Sequence, residues 1–188
     1  MGVALILSYL VAIADFAYFA KVNRERSARN LQSGYVTEDD RGSGRFLLTS
    51  FILSLLAPIW LTTGVGHMWS FLGWVGLGWM VGGVLLRLWA IHVNQFFVVD
   101  LTVSDDMFIC TDGPYKVIRH PGYMGTLLIW VGFGLAATNW FVLIFVAGLV
   151  TYALIRRIQV EEEVLFERFG VDYQAYADET ARLFPFLY

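Results

Sequence analysis

Two short segments hold most of the side chains in this chain that can bind and orient a polar ligand. In residues 111–125, Tyr115, Arg119, His120 and Tyr123 are set among Gly113, Pro114, Pro121, Gly122 and Gly125. In residues 156–163, Arg156 and Arg157 precede Glu161, Glu162 and Glu163. A guanidinium is always charged and fork-shaped, which suits it to a carboxylate. A histidine donates or accepts, an ionised glutamate accepts, and a tyrosine face attracts a cation. Pro121 biases His120 toward an extended backbone, and Gly122 leaves room for close backbone approach. The same residues also have ordinary uses. Lys116, Arg119, Arg156 and Arg157 suit anchoring where helices leave a membrane, and Tyr115 and Tyr123 suit its interface. Glu161 stands at the i+4 position from Arg157, where a helical ion pair forms, and Glu161–Glu163 would also serve as a solvated face.

The elements that must position these segments are apolar. Hydrophobic residues make up 57% of the 188, charged residues 15%, against ~45–50% and ~25% in soluble chains. Mean hydropathy is +0.60, and the apolar residues come in long blocks rather than stripes. A spanning helix takes about 20 such residues. Blocks 3–20, 46–65, 68–92, 123–137 and 140–155 predict about five spans in a single membrane domain, 1–188. The fold class is therefore an all-α integral membrane protein. The last two blocks, parted by Thr138 and Asn139, are together too long for one tilted helix and predict a tight hairpin. Pro58 predicts a kink, and Gly78 with Gly82 forms a small-xxx-small pair for close helix approach. Segments 94–122 and 156–188 are polar. In the second, Phe166, Phe169, Tyr173 and Tyr176 recur at helical spacing, which predicts an amphipathic helix on the membrane or capping the bundle.

Charge orients the chain. Segments 21–45, 94–122 and 156–188 carry six, two and four Lys or Arg, and the intervening outer segments none. The positive-inside rule then places the N-terminus outside and the C-terminus in the cytosol, with the cell membrane as the expected location. Asp15 and Arg87 lie within spans near their inner ends; a mutual ion pair, snorkelling and a substrate role all remain open. A net charge of −3 gives no reason to expect nucleic acid. The lone Cys110 and the scattered His67, His92 and His120 lack metal-ligand spacing, so no metal is expected. No basic stretch precedes the first apolar block, and Ile6 stands where a myristoylation signal needs Ser or Thr. No strand–GxGxxG–helix unit is visible.

The run Gly113-x-Tyr115-x-x-x-Arg119-His-Pro-x-Tyr123-x-Gly125 resembles the signature of the isoprenylcysteine carboxyl methyltransferases, whose general plan the phospholipid methyltransferases share. The ending is similar too: Glu161-Glu162, then Phe169-Gly170-x-x-Tyr173-x-x-Tyr176, then Arg182 and Pro185. The likeness covers residues 94–188 and suits a short, prokaryote-type member. It implies a membrane methyltransferase that uses S-adenosylmethionine and releases S-adenosylhomocysteine. Carried over, the cofactor residues are Tyr115, His120, Pro121, Gly122, Tyr123 and Glu161. Met107, Phe108, Ile109 and Cys110 are expected along the adenosine side, largely through backbone, and Asp100 is a looser match.

The family's substrate-contacting arginine falls on Arg157, with Arg119 as a second candidate. A carboxylate acceptor is already ionised near neutral pH and needs alignment and exclusion of water rather than a general base. An amine acceptor would need a base. The implied partners are a lipophilic or prenylated acceptor and membrane lipid; the oligomeric state stays open. Phospholipid or other small-lipid methylation is the alternative reaction. A non-catalytic binding or transport protein is the non-enzyme alternative, although no span carries the row of polar residues that conduction needs. A sterol-reductase-like activity, which uses a nicotinamide, is disfavoured by the short chain.

Overall fold

The computed structural model describes residues 2–32, 36–37, 39–61, 64–94, 102–103 and 108–185. Six helices are described: α1 (Val3–Gln32), α2 (Ser43–Leu61), α3 (Phe71–Val93), α4 (Pro121–Ala136), α5 (Trp140–Phe169) and α6 (Val171–Glu179). A two-residue antiparallel pairing joins β1 (Val36–Thr37) to β2 (Thr102–Val103), and a 3₁₀ turn spans Gly113–Lys116. Four helices are long and apolar enough to cross a membrane: Val3–Ala28 within α1, then α2, α3 and α5. With 16 residues, α4 rises only roughly 24 Å, short of a hydrocarbon core of about 30 Å. It is also the inner helix. Its Leu127, Ile129, Trp130 and Phe133 are buried, while α2 and α3 turn residues such as Trp60 and Leu85 outward. An apolar exterior around an apolar interior is what a lipid surround requires.

Glycines set the closest helix contact. A Cβ on Gly83 would stand 2.6 Å from the Gly125 carbonyl oxygen, and one on Gly132 would stand 2.5 Å from that of Gly76. Those obstacles are backbone, so α3 and α4 could only separate to admit a side chain. The expected pair, Gly78 and Gly82, faces away: a Cβ on either meets nothing within 4 Å. Spacing alone fits both pairs, and only the position of α4 selects the face. Gly83→Ala should therefore cost about 2 kcal/mol by overpacking. Gly82→Ala should be neutral or slightly stabilising through helix propensity. Thermal unfolding in detergent reads the difference, and equal midpoints for the two variants would refute the packing.

At the far end from the site, Asn139 begins α5. Its side chain accepts from Phe141 N at 2.9 Å and donates to the Val65 carbonyl at 2.9 Å. The Trp140 amide donates to Gly66 O and the Met68 amide to Thr138 O, so the α2–α3 and α4–α5 turns are laced together. The hairpin expected from residues 123–155 is present. Two helices run further than their apolar blocks. α1 continues to Gln32, and its Arg26 donates to the carbonyls of Ile91 and Asn94 at 2.8 Å each, closing the end of α3. α5 passes through Arg156 without a break, because Arg, Gln, Glu and Leu all favour helix, and stops at Gly170 with φ +53°.

Candidate active site

The signature run folds as a 3₁₀ turn followed by a helix start. Pro121 occupies the first position of α4, where its missing N–H is no loss, and His120 caps the helix with φ −121°. The C-terminal segment lies along this turn. Arg119 N donates to Ala181 O at 2.8 Å, His120 N to Arg182 O at 3.3 Å and Ala181 N to Val117 O at 3.1 Å. The Tyr176 hydroxyl donates to Tyr115 O at 2.8 Å. The aromatic repeat expected to lie on the membrane or cap the bundle thus covers the turn: Tyr173 is 2% exposed and packs edge-on against Phe166 at 5.0 Å.

Between turn, α5 and α6 lies a cavity of roughly 710 Å³, its open mouth included. Phe108, Ile109, Cys110, Tyr115, Arg119, His120, Gly122, Tyr123 and Glu161 line it, all expected from the sequence. Pro121 is buried beneath it at the head of α4. Asp100 and Met107 lie outside the described residues. Asn94, Leu165, Phe169, Tyr173 and Tyr176 complete the wall and were not expected there. The aromatic periodicity of the tail was the available signal for three of them.

The polar side chains form one chain of contacts. The Tyr123 hydroxyl donates to Glu161 Oε2 at 2.6 Å, and the Tyr123 ring stacks on His120 with centroids 5.7 Å apart. His120 sits between two carboxylates, Nδ1 at 3.8 Å from Glu161 and Nε2 at 3.2 Å from Glu162. Behind Tyr123, Arg157 is 1% exposed; its Nε reaches the Tyr123 hydroxyl at 3.4 Å and its Nη1 donates to Ser43 Oγ at 2.9 Å. Asp40 stands 3.5 Å from the same Nη1. Burial pushes the Asp40 carboxyl up, but the Gly42 and Gly44 amides, Arg157 and Arg45 together hold it below its usual range. Burial pushes the Tyr115, Tyr173 and Tyr176 hydroxyls up, so all three are neutral at physiological pH.

Arg119 lines the cavity, yet its donors go to protein: Nε to Glu162 at 3.0 Å, and Nη1 to the carbonyls of Ala177, at 2.6 Å, and Thr180. It fastens the C-terminal segment to the turn, and Arg157 is likewise held by protein groups, Tyr123, Ser43 and Asp40. The three consecutive glutamates part company because each helical residue turns about 100°. Glu161 faces the cavity, Glu162 is buried among cations, and Glu163 pairs with Arg41 at 2.6 Å in solvent. Among the described residues no cluster of His, Cys, Asp or Glu is arranged to hold a metal ion.

Comparison with known proteins gives the family and the fold. Residues 74–167, half of the chain, match the Isoprenylcysteine carboxyl methyltransferase (ICMT) family. The match begins inside α3, upstream of the resemblance at residues 94–188. Protein-S-isoprenylcysteine O-methyltransferase A of Arabidopsis thaliana is 30% identical over 142 residues, covering 72% of this chain and 70% of the relative. Methanethiol S-methyltransferase 2 of Bradyrhizobium diazoefficiens is 29% identical over 163 residues, covering 76% of this chain and 58% of the relative. A probable protein-S-isoprenylcysteine O-methyltransferase of Oryza sativa subsp. indica is 29% identical over 120 residues, with 63% of its length spanned. The fold matches a structure of the eukaryotic intramembrane Ras methyltransferase ICMT with a TM-score of 0.55 at 21% identity, covering 81% of this chain and 55% of that one. The chain belongs to the isoprenylcysteine carboxyl methyltransferase family.

Proposed function

We propose that the protein is a methyltransferase that uses S-adenosylmethionine to methylate the anionic group of a membrane-soluble acceptor, the carboxylate of an isoprenylcysteine-like molecule first among them. The observation that carries this reading is the polar cavity between the signature turn, α5 and α6, with a buried arginine behind it. When bound, the cofactor supplies an electrophilic methyl group on a sulfonium centre. The donor set fits its groups. Glu161 accepts from the amine, His120 faces the carboxylate, and the rings of Tyr115 and Tyr123 suit a cation. The Tyr173 hydroxyl is buried in the cavity wall without a hydrogen-bond partner among the described residues, a donor that a polar ligand would satisfy.

The acceptor reaches this site from lipid. An apolar gap of roughly 890 Å³, open side included, runs between α1 and α2 over Ile129 and Trp130 of α4. Gly44 lies in its wall, and a Cβ there would be 3.8 Å from Arg157 Nη1. Asp40 Oδ2, 3.5 Å from Arg157 Nη1, marks the place an acceptor carboxylate would take for Arg157 to orient it, and no general base is then needed. The charge distribution supports a cytosolic position for the cavity, where a water-soluble methyl donor arrives. A second reading, methylation of a small thiol, is favoured by the likeness to methanethiol S-methyltransferase 2. A thiol must first lose its proton, which a free cysteine does only near pH ~8.5, and the apolar lining of the gap favours a larger lipophile.

Labelled methyl donor supplied to membranes containing the protein separates these outcomes. A carboxyl ester appears in the lipid fraction and releases volatile label under base. An N-methyl lipid keeps its label under base, and a small methyl thioether is volatile before base is added. Absence of product with every acceptor, together with absence of donor binding to the solubilised protein, would overturn the enzyme reading in favour of a non-catalytic membrane protein.

A further inference from the structure

One buried carboxylate near the cavity is not in its wall. Glu162 is 5% exposed, accepts from Arg119 Nε at 3.0 Å, meets His120 Nε2 at 3.2 Å and stands 2.8 Å from Arg182 Nε as an ion pair. Its three partners come from two stretches far from it in sequence, the signature turn and the C-terminal segment. An ionised carboxylate only accepts hydrogen bonds, so the His120 contact requires a proton on Nε2. For His120 this has a specific consequence. Nε2 carries a proton toward Glu162, and Nδ1 is the nitrogen left on the cavity side, 3.8 Å from Glu161 and beyond hydrogen-bond reach of it.

We propose that Glu162 is the positioning residue of the cavity, acting through its neighbours without touching a ligand. It fixes the ring orientation and the Nε2 proton of His120, and it holds the Arg182 segment down on the turn. Ser, Asn or water would satisfy one of these donors; a buried carboxylate takes Arg119 and His120 together and balances the charge of both arginines. The adjacent Glu161 has the opposite arrangement, with a hydroxyl on one oxygen and cavity on its other side. The two neighbouring glutamates therefore divide ligand contact from the support of ligand contact. The affinity consequence rests on the methyl-donor reading above; the histidine geometry does not.

The test has two arms on the full chain in detergent. In the first, S-adenosylmethionine binding is measured by calorimetry for Glu162→Gln, His120→Ala and the double variant. The positioning role predicts roughly tenfold weaker binding for Glu162→Gln alone and less than twofold further loss when His120 is already alanine, because coupled residues are non-additive. Independent, additive losses would overturn it. In the second arm, ring-nitrogen NMR follows His120, assigned by its absence in His120→Ala. Glu162→Gln should shift or broaden the Nε2 signal, and an unchanged signal overturns the proposal whether or not a ligand binds. Absence of donor binding by the unaltered protein would count against the methyl-donor reading alone. Glu162→Asp, which keeps the charge and shortens the reach, serves both arms where the glutamine variant does not fold.

Discussion

Glu161→Ala should weaken S-adenosylmethionine binding roughly 100-fold, whereas Glu163→Ala should change it less than twofold. The two residues are near neighbours of one type on one helix, so the contrast isolates geometry from composition. Glu161 accepts the Tyr123 hydroxyl at 2.6 Å and lines the cavity, whereas Glu163 pairs with Arg41 where both side chains are more than half exposed. A hydrogen bond to a charged group contributes about 1.5–3 kcal/mol, and about 1.4 kcal/mol is a factor of ten in affinity. Loss of the acceptor for the ligand amine alone gives roughly tenfold or more. The second loss is indirect: without Glu161 the Tyr123 hydroxyl keeps only Arg157, at 3.4 Å, and its ring is free to leave the His120 stack. An exposed pair such as Arg41–Glu163 is worth at most about 1 kcal/mol to stability and nothing to a ligand it does not meet. Calorimetry on the detergent-solubilised protein measures both variants. Similar losses from the two would show that the effect is charge on the helix and not contact in the cavity.

Much of this site was legible because its residues are consecutive or nearly so. The run from Gly113 to Gly125 carries part of its own geometry: Pro121 suits the first position of a helix, which puts His120 at the N-cap position. What the sequence left open depended on rotation and on distant partners. Three glutamates in a row look alike until it is known that α5 continues past Arg156, for only then does each take a different face. The glycines of α3 pose the same problem. Gly78–Gly82 and Gly76–Gly83 are equally good seams in isolation, and the choice is made by Gly125 and Gly132 on a helix some forty residues away in sequence. Arg157 was legible as a candidate, but its setting was not. Ser43 and Asp40, which hold it, come from the opposite end of the chain. Tyr173 and Tyr176 were visible as a periodic aromatic pair, and periodicity alone does not distinguish a membrane surface from the roof of a cavity.

The largest expected change in stability comes from the charged pair between α1 and α3, and its size depends on which partner is removed. Arg87 Nη1 meets Asp15 Oδ2 at 2.6 Å, with the two side chains 7% and 9% exposed, and the guanidinium lies 3.8 Å from the centroid of Phe19. Asp15→Ala strips the guanidinium of its counter-charge inside the apolar gap. Removing one partner of a buried pair costs about 3–5 kcal/mol. A guanidinium does not give up its proton, so that cost has no chemical escape. Arg87→Met is the milder change. The orphaned carboxylic acid can take up a proton and become neutral, and the methionine restores apolar packing against Phe19, so about 1–2 kcal/mol is expected. The double variant Asp15→Ala, Arg87→Met removes both charges together and should recover most of the Asp15→Ala loss, since replacing a whole buried pair by apolar groups is often neutral. Thermal unfolding of the three variants in one detergent gives the ordering. Protease cleavage of α1 supplies an independent measure, because the pair is the buried charge contact that fastens α1 to the bundle. Additive losses in the double variant would mean that the two residues act separately.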